Sequence, residues 1–250
     1  ESGSDSVATK PQVASFSSRG PTNDGRLKPD VVAPADYVVS ACSGPTSSSS
    51  IRVREMRGTS SAAPVVAGMA LLIRQYFEDD KFFYKNCAVF QRHGDMDCTP
   101  FSPSGVLLKA LIITSATKLA SSSPAEELDY MQGFGLPLIK DILPCEMSND
   151  CLESGKSLIV YDKMWISPSE NVVVDVELRP PGALKVTMVY YDQPSEEEGL
   201  TVDLNFHLST PCANISTNDP KNPVEKLVVR SEDLCCTGAG QTTSCTVSRS

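Results

Sequence analysis

The chain has 250 residues, 40% of them hydrophobic, with a formal net charge of −9, enough for one large domain or two modest ones. The acidic balance argues against a nucleic-acid partner, which needs a basic face to neutralise phosphates. The longest apolar stretch, around Val65 to Ile73, is about half of the roughly 20 residues a membrane helix needs, so no transmembrane segment is expected.

The first residues are polar and Ser-rich, without a signal-peptide pattern, and the start at Glu1 without Met reads as a fragment or a processed piece. Val13 to Ser17 alternates weakly and is predicted as a short strand. Turn formers follow from Ser18 to Gly25, and Lys28 to Pro34 is predicted extended, because prolines exclude their predecessors from the helical region. Val38 to Ala41 reads as another short strand, and Thr46 to Ser50 as a serine loop.

After Gly58-Thr59-Ser60 an apolar helix is predicted to about Phe77. Small residues (Ala62, Ala63, Ala67, Gly68, Ala70) surround it, which predicts a helix buried on every side. Pro64 lies near its start, where a missing N–H costs least. A charged and aromatic insertion fills 78–103. Ser104 is placed to cap a second helix with a stripe of Val106, Leu107, Ala110, Leu111 and Thr114.

Beyond Pro144 the pattern changes to short segments rich in Val, Ile, Leu, Thr and Tyr. They run from Ser157 to Tyr161, Asn171 to Leu178, Leu184 to Tyr191, Val202 to Leu208, Glu225 to Val229 and Thr242 to Val247. Turn signals such as Pro180-Pro181-Gly182 separate them, and several alternate with period two, the signature of an antiparallel β-sandwich. The expected organisation is one domain over 1–145 and a β-sandwich domain over 150–250.

Nine cysteines are present. Cys87 and Cys98 bracket the insertion and Cys145 and Cys151 a turn-rich stretch, spacings that favour disulfides in an oxidising compartment over a zinc site. No CxxC pair or histidine cluster supports zinc. Asn214-Ile215-Ser216 is a glycosylation sequon pointing to the same secreted or endomembrane setting.

A serine hydroxyl is a weak nucleophile that needs a base, an orienting group and a place for developing negative charge. At the start of a helix the first N–H groups lack internal partners, and with the helix dipole they favour an oxyanion. Gly58 allows close backbone approach. Ser60 is thus the candidate nucleophile, with Gly58 and Thr59 as turn and oxyanion support; capping of a buried helix is the simpler role for such a serine.

The wider pattern favours catalysis. Gly58-Thr59-Ser60-Ser61-Ala62-Ala63-Pro64-Val65-Val66-Ala67-Gly68 resembles the serine motif of the subtilases. Phe16 to Pro34 resembles the segment preceding it in that family, and Gln132-Gly133-Phe134-Gly135 its strand-entry signature. The later strands resemble the C-terminal jelly roll of one subgroup. The resemblance implies an α/β fold: the C-terminal half of a subtilisin-like catalytic domain, followed by a jelly-roll-like antiparallel β-sandwich.

It also implies a serine endopeptidase acting on proteins or peptides through an acyl-enzyme on Ser60, with no cofactor needed for catalysis. In the family an aspartate, a histidine and an oxyanion asparagine precede the serine, and none of their motifs occurs before Ser60. Asn23 sits in the Arg-Gly-Pro-Thr loop. His93, in the insertion, and His207, on a predicted strand, stand outside the histidine motif. The chain alone is therefore expected to be inactive. Ser61 stands where many relatives carry an oxidisable Met, and Ala35 where the family usually has Gly.

Asp203, in Val202-Asp203-Leu204-Asn205, resembles a jelly-roll position near which structural calcium binds, with Asp192 and Glu196-Glu197-Glu198 as added charge. A solvated acidic loop is the alternative, favoured by the lack of EF-hand spacing. The rival to the enzyme is a catalytically inactive relative that binds protein or glycan.

Overall fold

The computed structural model describes residues 11–42, 52–80, 90–92, 99–119, 130–143, 156–167, 170–177, 182–193, 199–209, 214–230 and 242–249. Strand β1 (Val38–Ala41) pairs antiparallel with β2 (Val53–Met56), Val38 opposite Met56, and β2 leads directly into helix α1 (Thr59–Glu78). Helix α2 (Gly105–Ser115) begins as expected at Ser104, whose hydroxyl accepts from Leu107 N–H at 3.1 Å.

α1 and α2 enclose a core of Ile73, Tyr76, Phe77, Phe90, Leu107, Leu111, Ile112, Ile142 and Val160. Phe77 anchors it, with ring centroids 5.1 Å from Phe101 and 5.8 Å from Phe90. Phe90 and Phe101 both come from the stretch read as an insertion. Strand β3 (Phe90–Arg92) pairs parallel with β6 (Leu158–Val160), so the strand expected to open the C-terminal sandwich instead joins the helical core. Burying Phe90 and Val160 outweighs proximity along the chain. Two-residue strands β4 (Ala116–Thr117) and β5 (Leu136–Pro137) close the end of α2.

The C-terminal strands form two antiparallel sheets. One has the order β10-β9-β12-β7, from β10 (Asn214–Ser216), β9 (Leu204–Ser209), β12 (Thr242–Arg249) and β7 (Asn171–Glu177). The other pairs β11 (Val224–Arg230) with β8 (Ala183–Val189), Val224 opposite Val189. Phe206 and Leu208 of β9 pack with Val229, Leu184, Val186 and Met188 of the second sheet, so the sheets share a core. In β7 the inner Val172, Val174 and Val176 alternate with exposed Asn171, Val173 and Asp175, the period that pins register.

Two expectations are corrected. Val13 to Ser17 is a turn, closed by Ser17 N–H to Ala14 O at 3.0 Å, with the Phe16 ring 5.1 Å from the Arg57 guanidinium carbon. Among the described residues no partner strand lines up there, and the ring finds a cation instead. Nor is α1 buried on every side: Ile73, Tyr76 and Phe77 are inside, but Leu71 is 67% and Leu72 55% exposed. The described residues pack on one face only. Among them no helix is long and apolar enough to cross a membrane.

Candidate active site

The local geometry at Ser60 follows from Gly58. Its φ of 137° and ψ of 163° lie where L side chains rarely go, so glycine lets the chain turn from β2 into α1. The turn is held on both sides: Gly58 N–H donates to Ala35 O at 2.9 Å, and Ser61 N–H to Gly58 O at 2.9 Å. Thr59 and Ser60 follow as the first two helical residues, both exposed, and among the described residues their N–H groups take no hydrogen bond. These are the unpaired helix-start donors that suit an oxyanion.

Ser60 points outward while Ser61 is 4% exposed, its hydroxyl without a partner among the described residues. Adjacent serines thus take opposite roles, one facing solvent and one facing the core. Pro64 is exposed and sits one turn further on than a first-turn proline. The N–H it lacks would have bonded Ser60 O, so the helix ladder is interrupted at the carbonyl of Ser60. Ala35 sits at an ordinary negative φ, so alanine fits where glycine was anticipated.

A strap over residues 20–36 lies against this turn. Gly20 N–H donates to Tyr130 O at 3.0 Å, Phe134 N–H to Asp30 O at 2.9 Å and Val32 N–H to Gly135 O at 3.0 Å. The Gln-Gly-Phe-Gly signature is therefore a clamp on the strap. A Cβ on Gly133 would lie 1.9 Å from Pro29 O, so only glycine admits that approach, and Gln132, 1% exposed, accepts from Leu119 N–H at 2.7 Å. Asp30 pairs with Lys28 and, at 3.2 Å, with Lys109 of α2.

The remaining candidates lie elsewhere. His207 is exposed on β9, in the four-stranded sheet, opposite Ser216 and Thr246. Asn23 is exposed in a turn closed by Gly25 N–H to Thr22 O at 2.9 Å. His93, Cys87, Cys98, Cys145, Cys151 and Glu196 to Glu198 lie outside the described residues. Asn214 is exposed on the edge strand β10, its Oδ1 accepting from Ser209 Oγ at 3.0 Å.

Asp203 Oδ2 accepts from Asn205 Nδ2 at 3.2 Å, while Oδ1 is buried without a hydrogen-bond partner among the described residues. Asp192 is committed to the backbone, accepting from Thr201 N–H at 2.8 Å and Val202 N–H at 3.0 Å. Among the described residues no three His, Cys, Asp or Glu side chains converge as metal ligands, short of the six to eight oxygens calcium takes.

Sequence reasoning missed the groups that join the C-terminal sheets to the strap and to α2. Lys226 Nζ donates to Ile113 O at 2.8 Å and Ala116 O at 2.7 Å, satisfying carbonyls at the end of α2. Burial, with a smaller effect from Lys185, pulls its pKa down to about 8. Glu225 is 3% exposed, and burial pushes its pKa up, opposed by hydrogen bonds from Thr217, Asp219 and Phe206. A charged residue inside a predicted strand was the available signal.

The sequence pattern of the Subtilase family matches residues 3–135. The chain is 33% identical over 190 residues to the serine protease/ABC transporter B family protein tagA of Dictyostelium discoideum, covering 71% of this chain and 10% of that protein. To tagB of the same organism it is 33% identical over 172 residues, covering 60% of this chain and 9% of that protein. To the serine protease AprX of Bacillus subtilis (strain 168) it is 47% identical over 76 residues, covering 27% of this chain and 17% of that protein. The chain spans about a tenth of the length of the Dictyostelium relatives. Its family match runs from before the strap through the turn at Ser60 to the Gly135 clamp, and the chain belongs to the subtilase family.

Proposed function

We propose that Ser60 is the nucleophile of a subtilisin-like serine endopeptidase, and that this chain supplies the serine-bearing part of its catalytic domain and a jelly-roll-like β-sandwich domain. The observation that carries the reading is the turn at Gly58. It sets an exposed hydroxyl and two N–H groups, unpaired among the described residues, at the start of a helix whose inner face is anchored in the core.

In this reading Ser60 Oγ attacks the carbonyl carbon of a peptide bond and its proton passes to a histidine held by an aspartate. The tetrahedral oxyanion is met by Ser60 N–H and an asparagine side chain. The histidine then protonates the leaving amine, and water hydrolyses the acyl ester. The aspartate, histidine and asparagine come from outside this stretch, so these 250 residues alone are inactive.

A secreted or endomembrane location, disulfides of open connectivity among the cysteines, and a glycan on Asn214 belong to the same reading, the glycan supported by the exposed sequon on β10. Asp203 enters as a calcium ligand only together with Glu196 to Glu198; a calcium-dependent rise in Tm that D203N abolishes is the test.

Hydrolysis of an unstructured protein such as casein by the full-length protein tests the enzyme. Turnover should vanish in S60A. A folded full-length protein that binds casein without cutting it would establish the inactive binding relative instead.

A further inference from the structure

We infer that Asn222, in the turn before β11, is a positioning residue for the nucleophile's turn, acting through the 20–36 strap on the carbonyl that holds Gly58. The inference rests on Ser60 as the nucleophile. Asn222 is 6% exposed, and its Oδ1 accepts from Leu27 N–H at 2.8 Å across 195 residues of sequence. Its orientation is fixed, because Nδ2 donates at 2.7 Å to Asp219 Oδ2, a carboxylate that can only accept. Asp219 Oδ1 in turn accepts from Lys221 N–H at 3.1 Å and Asn222 N–H at 3.2 Å. Asp219 N–H donates at 3.2 Å to buried Glu225, which also accepts from Phe206 N–H and Thr217 Oγ1. The C-terminal sheets thus present Asn222 from a rigid support.

From Leu27 to Ala35 the strap is stiff. Pro29 and Pro34 fix φ, and the β-branched Val31 and Val32 favour the extended backbone. The clamp at Gly133 leaves no slack beside Pro29. The strap is held at three places: at Leu27 by Asn222, at Asp30 and Val32 by Phe134 and Gly135, and at its far end through Ala35 O, the acceptor for Gly58 N–H at 2.9 Å. Asn222 thus shares in fixing the path that ends at Gly58. Loss of the Asn222 hold therefore loosens the turn that aims Ser60, although Asn222 touches neither Ser60 nor substrate.

The test uses the full-length protein and two readouts, amide hydrogen exchange over residues 56–61 and the rate of fluorophosphonate labelling at Ser60. N222D is nearly isosteric but sets a second carboxylate against Asp219. In D219N/N222D the amide and the carboxylate change places, so the donor–acceptor pair and the acceptor for Leu27 N–H are restored. N222S, which removes both the acceptor for Leu27 N–H and the donor to Asp219 without adding a charge, gives the same readout if N222D does not fold.

N222D should speed exchange at Gly58 about fivefold and slow labelling about tenfold, the scale of a small misplacement of a reacting group. The double variant should return both to within about twofold of wild type. Faster exchange at Leu27 with unchanged exchange at Gly58 and unchanged labelling would overturn the inference, as would failure of the double variant to restore either readout. If wild type itself is not labelled at Ser60, the nucleophile reading fails, and the Gly58 exchange still decides the role of Asn222.

Discussion

Helices α1 and α2 are both apolar, yet they meet their surroundings in different ways. α1, rich in small residues, was expected to be wrapped on every side, but Leu71 and Leu72 stand open to solvent. α2, expected to bury one stripe, buries Leu107, Leu111, Ile112 and Ile113 around its circumference, between α1, the β4–β5 pair and strand β8. The composition of a helix states what cover it tolerates; its neighbours decide what cover it has. Under the proposed function the open face of α1 belongs against the part of the catalytic domain that carries the aspartate and histidine. α2 is already complete, its last carbonyls closed by Lys226 from the sheets.

That contrast predicts an activity helix and a stability helix. The largest expected effect is on α1: S60A in the full-length protein should lower kcat at least about 10³-fold. Because Ser60 is exposed, unfolding free energy should stay within about 0.5 kcal/mol of wild type. L111A in α2 should do the reverse, costing about 2–5 kcal/mol in urea unfolding for a fully buried leucine. Loss of activity in L111A beyond its unfolded fraction would break the comparison.

L71A sharpens it. In the 250-residue chain this exposed leucine should cost less than about 0.5 kcal/mol, and in the full-length protein about 2 kcal/mol or more once the face is covered. Equal small costs in both would remove the argument that α1 awaits a partner surface.

The legible part of the fold was local. α1, β1, the Ser104 cap and the C-terminal strands β7, β8, β9, β11 and β12 follow from period and turn chemistry within about ten residues. Phe16 shows the limit: an alternating pattern was present, but among the described residues no partner strand was, and the ring lies beside Arg57. β3 and β6 pair across 68 residues, and Leu27 meets Asn222 across 195. Contacts at such range leave no mark on local spacing. At the candidate site, the Gly58 turn and the helix start at Ser60 were legible because helix-start chemistry is local. Ala35 O and Asn222 were not, since a backbone acceptor has no residue signature and Asn222 reads from sequence as one more turn former before Pro223.

A smaller effect concerns the seam between the sheets and α2. Lys226 titrates near pH 8 when folded against 10.5 as its ordinary value, because burial disfavours its charge. Between those values the unfolded chain binds more protons, so this group makes stability rise with pH from about 8 to 10.5. Glu225 acts in the opposite sense: its pKa is raised by burial, so the folded state holds the proton longer, and its contribution falls as pH climbs above 4.5 through the folded value. Tm measured against pH should lose its alkaline rise in K226M and its acidic decline in E225Q, each by a few degrees at most. An unchanged profile in both would mean that neither group is buried as described.

The measurement that bears most directly on the central claim is mapping of a fluorophosphonate adduct on the full-length protein by peptide mass spectrometry. The account predicts one adduct, on the peptide containing Gly58-Thr59-Ser60, absent from S60A and blocked by prior denaturation. An adduct on another residue of a folded protein, or none while casein is still hydrolysed, would contradict it.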